Sequence, residues 1–194
     1  MTWTDRLLTF LLYALGVVFV AALVHLIAVL AMPELAPNDV YARLSAFAKT
    51  AAGPLLLPQP LPGRALTPFE DPALAQAVCM FDLSHGSLHV RGDVDHEGFV
   101  SLSFRSRDGR IFYAMTDKSA VHGKIDVRVL TEPQLEALQE QDDEDNPPQE
   151  LRLVAPQVQG FVLISALLAY PSERAAAGAR ALAINCAPEA IAQN

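Results

Sequence analysis

At 194 residues, 52% of them hydrophobic, the chain is long enough to bury one core of its own. Its formal net charge of −8 argues against nucleic acid or anionic lipid as the partner of its bulk surface. It has two cysteines and no Cys-x-x-Cys spacing, which argues against a structural zinc site built on thiolates.

The hydrophobic excess is concentrated in residues 7–32, LLTFLLYALGVVFVAALVHLIAVLAM, which contain no Asp, Glu, Lys or Arg. As a helix this run extends ~39 Å, more than the ~30 Å hydrocarbon core of a bilayer. It reads as a transmembrane helix. The rival is a cleaved signal peptide, but there the apolar region is normally about 7–15 residues behind a basic start. Here the run is longer, and Arg6 is offset by Asp5. Basic residues on the two flanks nearly tie under the positive-inside rule. The short N-terminal tail and the acidic remainder of the chain set the expectation of a cytoplasmic N-terminus and a domain outside. His25 lies inside the apolar run. It reads either as a side chain reaching the interface unaided or as a contact to another membrane helix, with a tetrapyrrole ligand as a third reading.

Pro33 and Pro37 are expected to end this helix. Asn38 can cap a short amphipathic neck helix in which Val40, Leu44, Phe47 and Ala51 share a face. Its apolar face is a candidate surface for a partner, as is an edge of the sheet described below. Residues 54–68 carry five prolines and read as a stiff, irregular connector. The expected organisation is an anchor over 1–32, a neck and linker over 33–68 and an extracytoplasmic domain over 69–194.

Within that domain AVCMFDL reads as a buried strand with a turn at SHG, and SLHVRG alternates and can pair back on it. GFVSLSFRSRDGRIFYAM is the clearest hairpin signal, with Asp108-Gly109 suited to a type I′ turn. KIDVRVL is a further alternating strand. TEPQLEALQEQ is a short helix with Thr131 as its cap, Pro133 in the first turn and Gln134 completing a capping box. The acids Asp142–Asp145 form a solvated loop. ELRLVAP and GFVLISALLAY are two more strands. PSERAAAGARALAINCAP is a closing helix with Ser172 as its cap. This order predicts an α+β fold: a mostly antiparallel sheet or sandwich with a short helix and a C-terminal closing helix.

Chemistry is sparse. The sequence has no phosphate-binding Gly loop, no G-x-S-x-G elbow and no HExxH. No catalytic residue, cofactor site or metal site is assigned. His85, His89 and His96, with Asp93 or Asp95, are a candidate metal set, and polar turn residues are the default reading against it. Cys79 lies in an apolar strand with no neighbouring base, so it is not read as a nucleophile. A free buried thiol stays open. The even cysteine count and an oxidising compartment predict a Cys79–Cys186 disulfide.

Three segments, FEDPALAQAVCMFDLSHGSLHV, FVSLSFRSRDGRIFYAMTDKSAV and GFVLISALLAYPSERAAAGARALAINC, resemble in order and spacing the short membrane-anchored bacterial proteins of the domain-of-unknown-function family numbered 1254. The resemblance implies a largely antiparallel β fold with flanking helices and a place in the bacterial inner membrane. It also implies a companion, because longer relatives continue into a second domain, numbered 1214, which short relatives meet as a separate anchored protein. It implies no catalytic residue at any position here. The expected function is a periplasmic interaction or structural domain, one half of a two-protein envelope complex. The alternative is a non-catalytic or small-molecule-binding subunit of an envelope enzyme, with a pocket between sheet and helices.

Overall fold

The computed structural model describes residues 3–35, 40–48, 53–61, 63, 66–67, 70–94, 98–142 and 148–190. The chain divides into two units, Met1–Asn38 and Asp39–Asn194. The first holds helix α1 (Trp3–Leu35). It contains the one described helix long and apolar enough to cross a membrane, Trp3–Met32, with a mean hydropathy of 2.7 and no part of its most apolar window buried. A membrane anchor and a signal sequence both have this character. The helix continues past Pro33 to Leu35, so the proline does not end it as expected. Asn38 lies outside the described residues.

The second unit is α+β, as expected. Its elements are α2 (Val40–Phe47), β1 (Leu55–Leu56), β2 (Leu74–Asp82), β3 (Ser87–Asp93), β4 (Val100–Ser106), β5 (Ile111–Thr116), β6 (Lys124–Leu130), α3 (Glu132–Gln139), β7 (Leu151–Val154), β8 (Gln159–Leu167), α4 (Arg174–Leu182) and β9 (Asn185–Glu189). They form a five-stranded sheet in the order β1-β2-β8-β4-β5 and a four-stranded sheet in the order β7-β6-β3-β9. Every pairing is antiparallel except β6–β7, whose strands are joined through α3.

Strand alternation explains why two sheets form one core. In β2, β4 and β8 the inward residues Ala77, Cys79, Phe81, Leu102, Phe104, Val162 and Ile164 are buried. They share a single cluster with Leu88 and Val90 of β3, Ile125, Val127 and Val129 of β6, Leu153 of β7 and Cys186 of β9. That is the interior of a two-sheet sandwich. β8 is buried on its other face too, because Phe161 and Leu163 join Val78, Leu57 and Leu44 in a second cluster. Hence GFVLISA reads as a continuous apolar run rather than an alternating one.

Leu44 places α2 inside the compact unit. The neck and the β1 segment are therefore part of the fold rather than a connector ahead of it. The expected start of the domain at Phe69 lies outside the described residues. Among the described residues of the apolar face of α2, Leu44 is fully buried, Val40 is half-buried and Phe47 is exposed, so most of that face is used within the chain.

Three local readings are corrected. SLHVRG does not pair back on β2; β3 crosses to the other sheet and pairs with β6 and β9. The β4–β5 turn is not type I′, since Gly109 (φ 82°) has positive φ and Asp108 does not. Ser106 N donates to Arg110 O and Gly109 N to Ser106 O, the pattern of a three-residue loop with a left-handed glycine. The closing helix is shorter than expected. It starts at Arg174 after a 3₁₀ turn at Pro171–Glu173, ends at Leu182, and gives way to β9.

The α3 reading stands: Thr131 N donates to Gln134 Oε1 at 2.9 Å, and Gln134 Nε2 donates to Leu83 O at 2.8 Å. A type I′-like turn does occur elsewhere, where His122 (φ 53°) and Gly123 (φ 74°) link Val121 to Lys124.

Candidate functional site

Most outward residues of the four-stranded sheet are polar: His89 and Arg91 in β3, Lys124, Asp126 and Arg128 in β6, Arg152 in β7, and Asn185 and Glu189 in β9. Register aligns them. His89 stands opposite Arg128, Arg128 opposite Arg152, and Arg91 opposite Asp126. Of these pairs only Arg91 and Asp126 carry opposite charges; Arg128 and Arg152 are instead neutralised by the carboxylates of Glu150, Glu189 and Asp142, and the result is a continuous ionic cluster.

His89 is its centre. Although it points away from the sandwich core it is only 4% exposed. Its Nδ1 lies 2.6 Å from Glu189 Oε2 and its Nε2 2.6 Å from Asp126 Oδ1, with Glu150 Oε2 3.7 Å from Nε2. Arg128 bridges two of these acids, with Nε 2.9 Å from Glu150 Oε2 and Nη2 3.1 Å from Glu189 Oε2. Arg152 donates from Nε to Glu150 Oε1 at 3.0 Å and grips Asp142 with both terminal nitrogens, at 2.5 and 2.7 Å. Asp142 is thus an ion-pair partner and not a freely solvated member of the acidic loop. Asp143–Asp145 lie outside the described residues.

Charge follows geometry. The hydrogen bond with His89, then the charge of Arg128, hold the Glu189 carboxyl below its ordinary value against the opposing effect of desolvation. The Arg152 hydrogen bond does the same for Asp142. Such bidentate arginine–carboxylate pairs are stronger and more directional than single contacts.

The histidine set weighed from sequence is not what the structure assembles. His85 is exposed in the 3₁₀ turn after β2, and His96 and Asp95 lie outside the described residues. His89 instead meets Asp126 and Glu150, and their ligand atoms all lie within 4.8 Å of one another. Those acids come from distant parts of the chain. The available signal was the alternation of charge in LHVRGD and KIDVRV, which marks one polar sheet face but not its cross-strand partners.

Cys79 and Cys186 are bonded, with Cα atoms 6.3 Å apart, inside the ~4.4–6.8 Å window such bridges require. The bridge joins β2 to β9, so it ties the two sheets together rather than pinning a helix. His25 lies on the exposed surface of α1. An open cleft of about 670 Å³ runs between β5 and the β6–β7 edge, lined by Tyr113, Met115, Ile125, His122, Asp126 and Glu150 among others.

No protein-family model matches the chain, and no curated protein matches it. Among solved structures it is similar to the VPA0106 protein of Vibrio parahaemolyticus, with 9% identity and a TM-score of 0.48, over 81% of this chain and 39% of that one. It is also similar to an uncharacterized protein from Burkholderia cenocepacia, with 10% identity and a TM-score of 0.43, over 80% of this chain and 42% of that one. The chain therefore spans about two fifths of the length of these neighbours.

Proposed function

We propose that this chain is a single-pass protein of the bacterial inner membrane, N-terminus in the cytoplasm, whose sandwich domain works in the periplasm by contact with a companion envelope protein. The observation that carries the reading is the union of an exposed apolar helix with a domain stapled by a disulfide. Disulfides persist in oxidising compartments, and a transmembrane helix with a cytoplasmic N-terminus delivers the domain to one. The resemblance to family 1254 supplies the kind of companion, an anchored protein carrying the second domain of the longer relatives.

With most of the α2 face used internally, the contact is assigned to the free edge of β5. This strand ends its sheet, and Ile111–Thr116 contain neither proline nor charge. Natural edge strands are usually blunted by such residues, and an edge without them accepts an added strand from a partner. Ile111, at the start of the strand, is 54% exposed.

The test is affinity purification of the full chain in mild detergent, with identification of what co-elutes. A stoichiometric membrane-anchored partner that is lost in Ala114→Lys, a charge placed on the exposed edge, supports the reading. A partner retained by that variant moves the contact elsewhere, and a bound small molecule in place of a protein favours the ligand-binding alternative. The β5–β6 cleft is the observation behind that alternative, since it sets apolar side chains such as Met115, Ile125 and Leu151 beside polar ones such as His122, Lys124 and Gln149.

A further inference from the structure

We propose that the gap bounded by His89 Nε2, Asp126 Oδ1 and Glu150 Oε2 is a binding position for a divalent transition-metal ion. Both ring nitrogens of His89 lie 2.6 Å from a carboxylate oxygen. On one side of the ring, one imidazole nitrogen and two carboxylate oxygens converge, their ligand atoms all within 4.8 Å of one another.

The two sides of the ring differ. Nδ1 faces one carboxylate, Glu189, together with Arg128 Nη2 at 3.3 Å. Nε2 faces two, Asp126 and Glu150. The cation position is therefore on the Nε2 side, and Glu189 takes the role of the acid that orients a metal-binding histidine through its far nitrogen.

Spacing agrees. Bonds of ~2.0–2.2 Å to a shared ion put neighbouring ligand atoms roughly 3–3.5 Å apart, and the observed 2.6 and 3.7 Å separations bracket that distance. Glu150 is held from both oxygens by Arg128 and Arg152, so it has little side-chain freedom to lose on binding. Asp126 and Glu150 also line the cleft between β5 and β6, which gives an ion an entry path and leaves room for water at the remaining coordination positions. One imidazole and two carboxylates suit zinc, manganese or iron(II) better than calcium or copper(I). Arg91 Nε, 3.6 Å from Asp126 Oδ1, and the two arginines on Glu150 offset part of the acidic charge, so the ion is expected to be removable by a chelator.

The experiment is equilibrium dialysis of the detergent-solubilised full chain, stripped with chelator and titrated with Zn²⁺. One ion per chain is expected. Binding should be lost in His89→Gln and weakened ~10–100-fold in Glu189→Gln, the usual effect of removing an orienting partner. Asp126→Asn should also weaken it, and the exposed His85→Gln should leave it unchanged. If His89→Gln fails to fold, Asp126→Asn decides, because that side chain is half exposed. Absence of saturable binding to the wild-type chain, or binding undiminished in Asp126→Asn, overturns the proposal.

Discussion

Gly160 shows how one residue fixes a strand crossing. A Cβ built there would sit 2.3 Å from Arg105 O and 2.4 Å from Phe81 Cζ, so the backbones of β8 and β4 and the Phe81 ring approach only because the side chain is absent. Gly160→Ala is expected to destabilise the domain by about 1–3 kcal/mol, the usual cost of forcing atoms into a packed interior, read from the denaturant midpoint. Asp82 makes a separate prediction. The Ser84 hydroxyl, then the Gln159 amide and the Ser84 N–H, hold its carboxyl below the ordinary value of 3.8. Asp108 is held down likewise, chiefly by the Ser106 hydroxyl. A carboxyl depressed by folding contributes stability that is present above its unfolded pKa and lost as pH falls through its lower folded one. The double variant Asp82→Asn, Asp108→Asn should therefore lose less stability than wild type between pH 5 and pH 3, measured by thermal melts across that range. A parallel loss in both would contradict it. The His89 cluster was half legible at this scale. Alternation in β3 and β6 marks His89, Arg91, Asp126 and Arg128 as one polar face, but Glu150 and Glu189 reach His89 only through pairings that local sequence does not encode.

Among the elements, strands with a clear period of two and the α3 capping box were read correctly because local chemistry determines them. β9 was missed. Asn185–Glu189 follows an Ala-rich helix without a break signal, and its extended form depends on pairing with β3, a tertiary effect that overrides propensity. Pro188 is tolerated because β9 is an edge strand. The role of α2 was missed for a related reason. Its amphipathic spacing was visible, but what it covers was not, since the outer face of β2 and β8 needed a lid and sequence alone does not say which segment supplies it. Leu44→Ala should cost about 2–5 kcal/mol, the range for a fully buried leucine. If α2 were a detached neck, the variant would unfold at the wild-type denaturant midpoint.

For the whole molecule, the fold class was legible and the allotment of strands to the two sheets was not, because β3 leaves its sequence neighbour for the second sheet. The disulfide spans that division. Cys79 and Cys186 are 107 positions apart in sequence, and the chain-entropy model gives roughly 4–5 kcal/mol for closing a loop of that size. The Cys79→Ala, Cys186→Ala double variant should fall in stability by up to that amount. The proposed topology and the covalent structure are also tied together, since disulfides persist in oxidising compartments. The most direct measurement is thiol counting in growing cells. The cells are quenched with acid, the protein is denatured, and a thiol-reactive polymer of measurable mass is added with and without prior reduction. A membrane-anchored, extracytoplasmic sandwich should take up no polymer before reduction and two molecules after it. Two molecules before reduction would place the domain in a reducing compartment and contradict both the disulfide and the orientation.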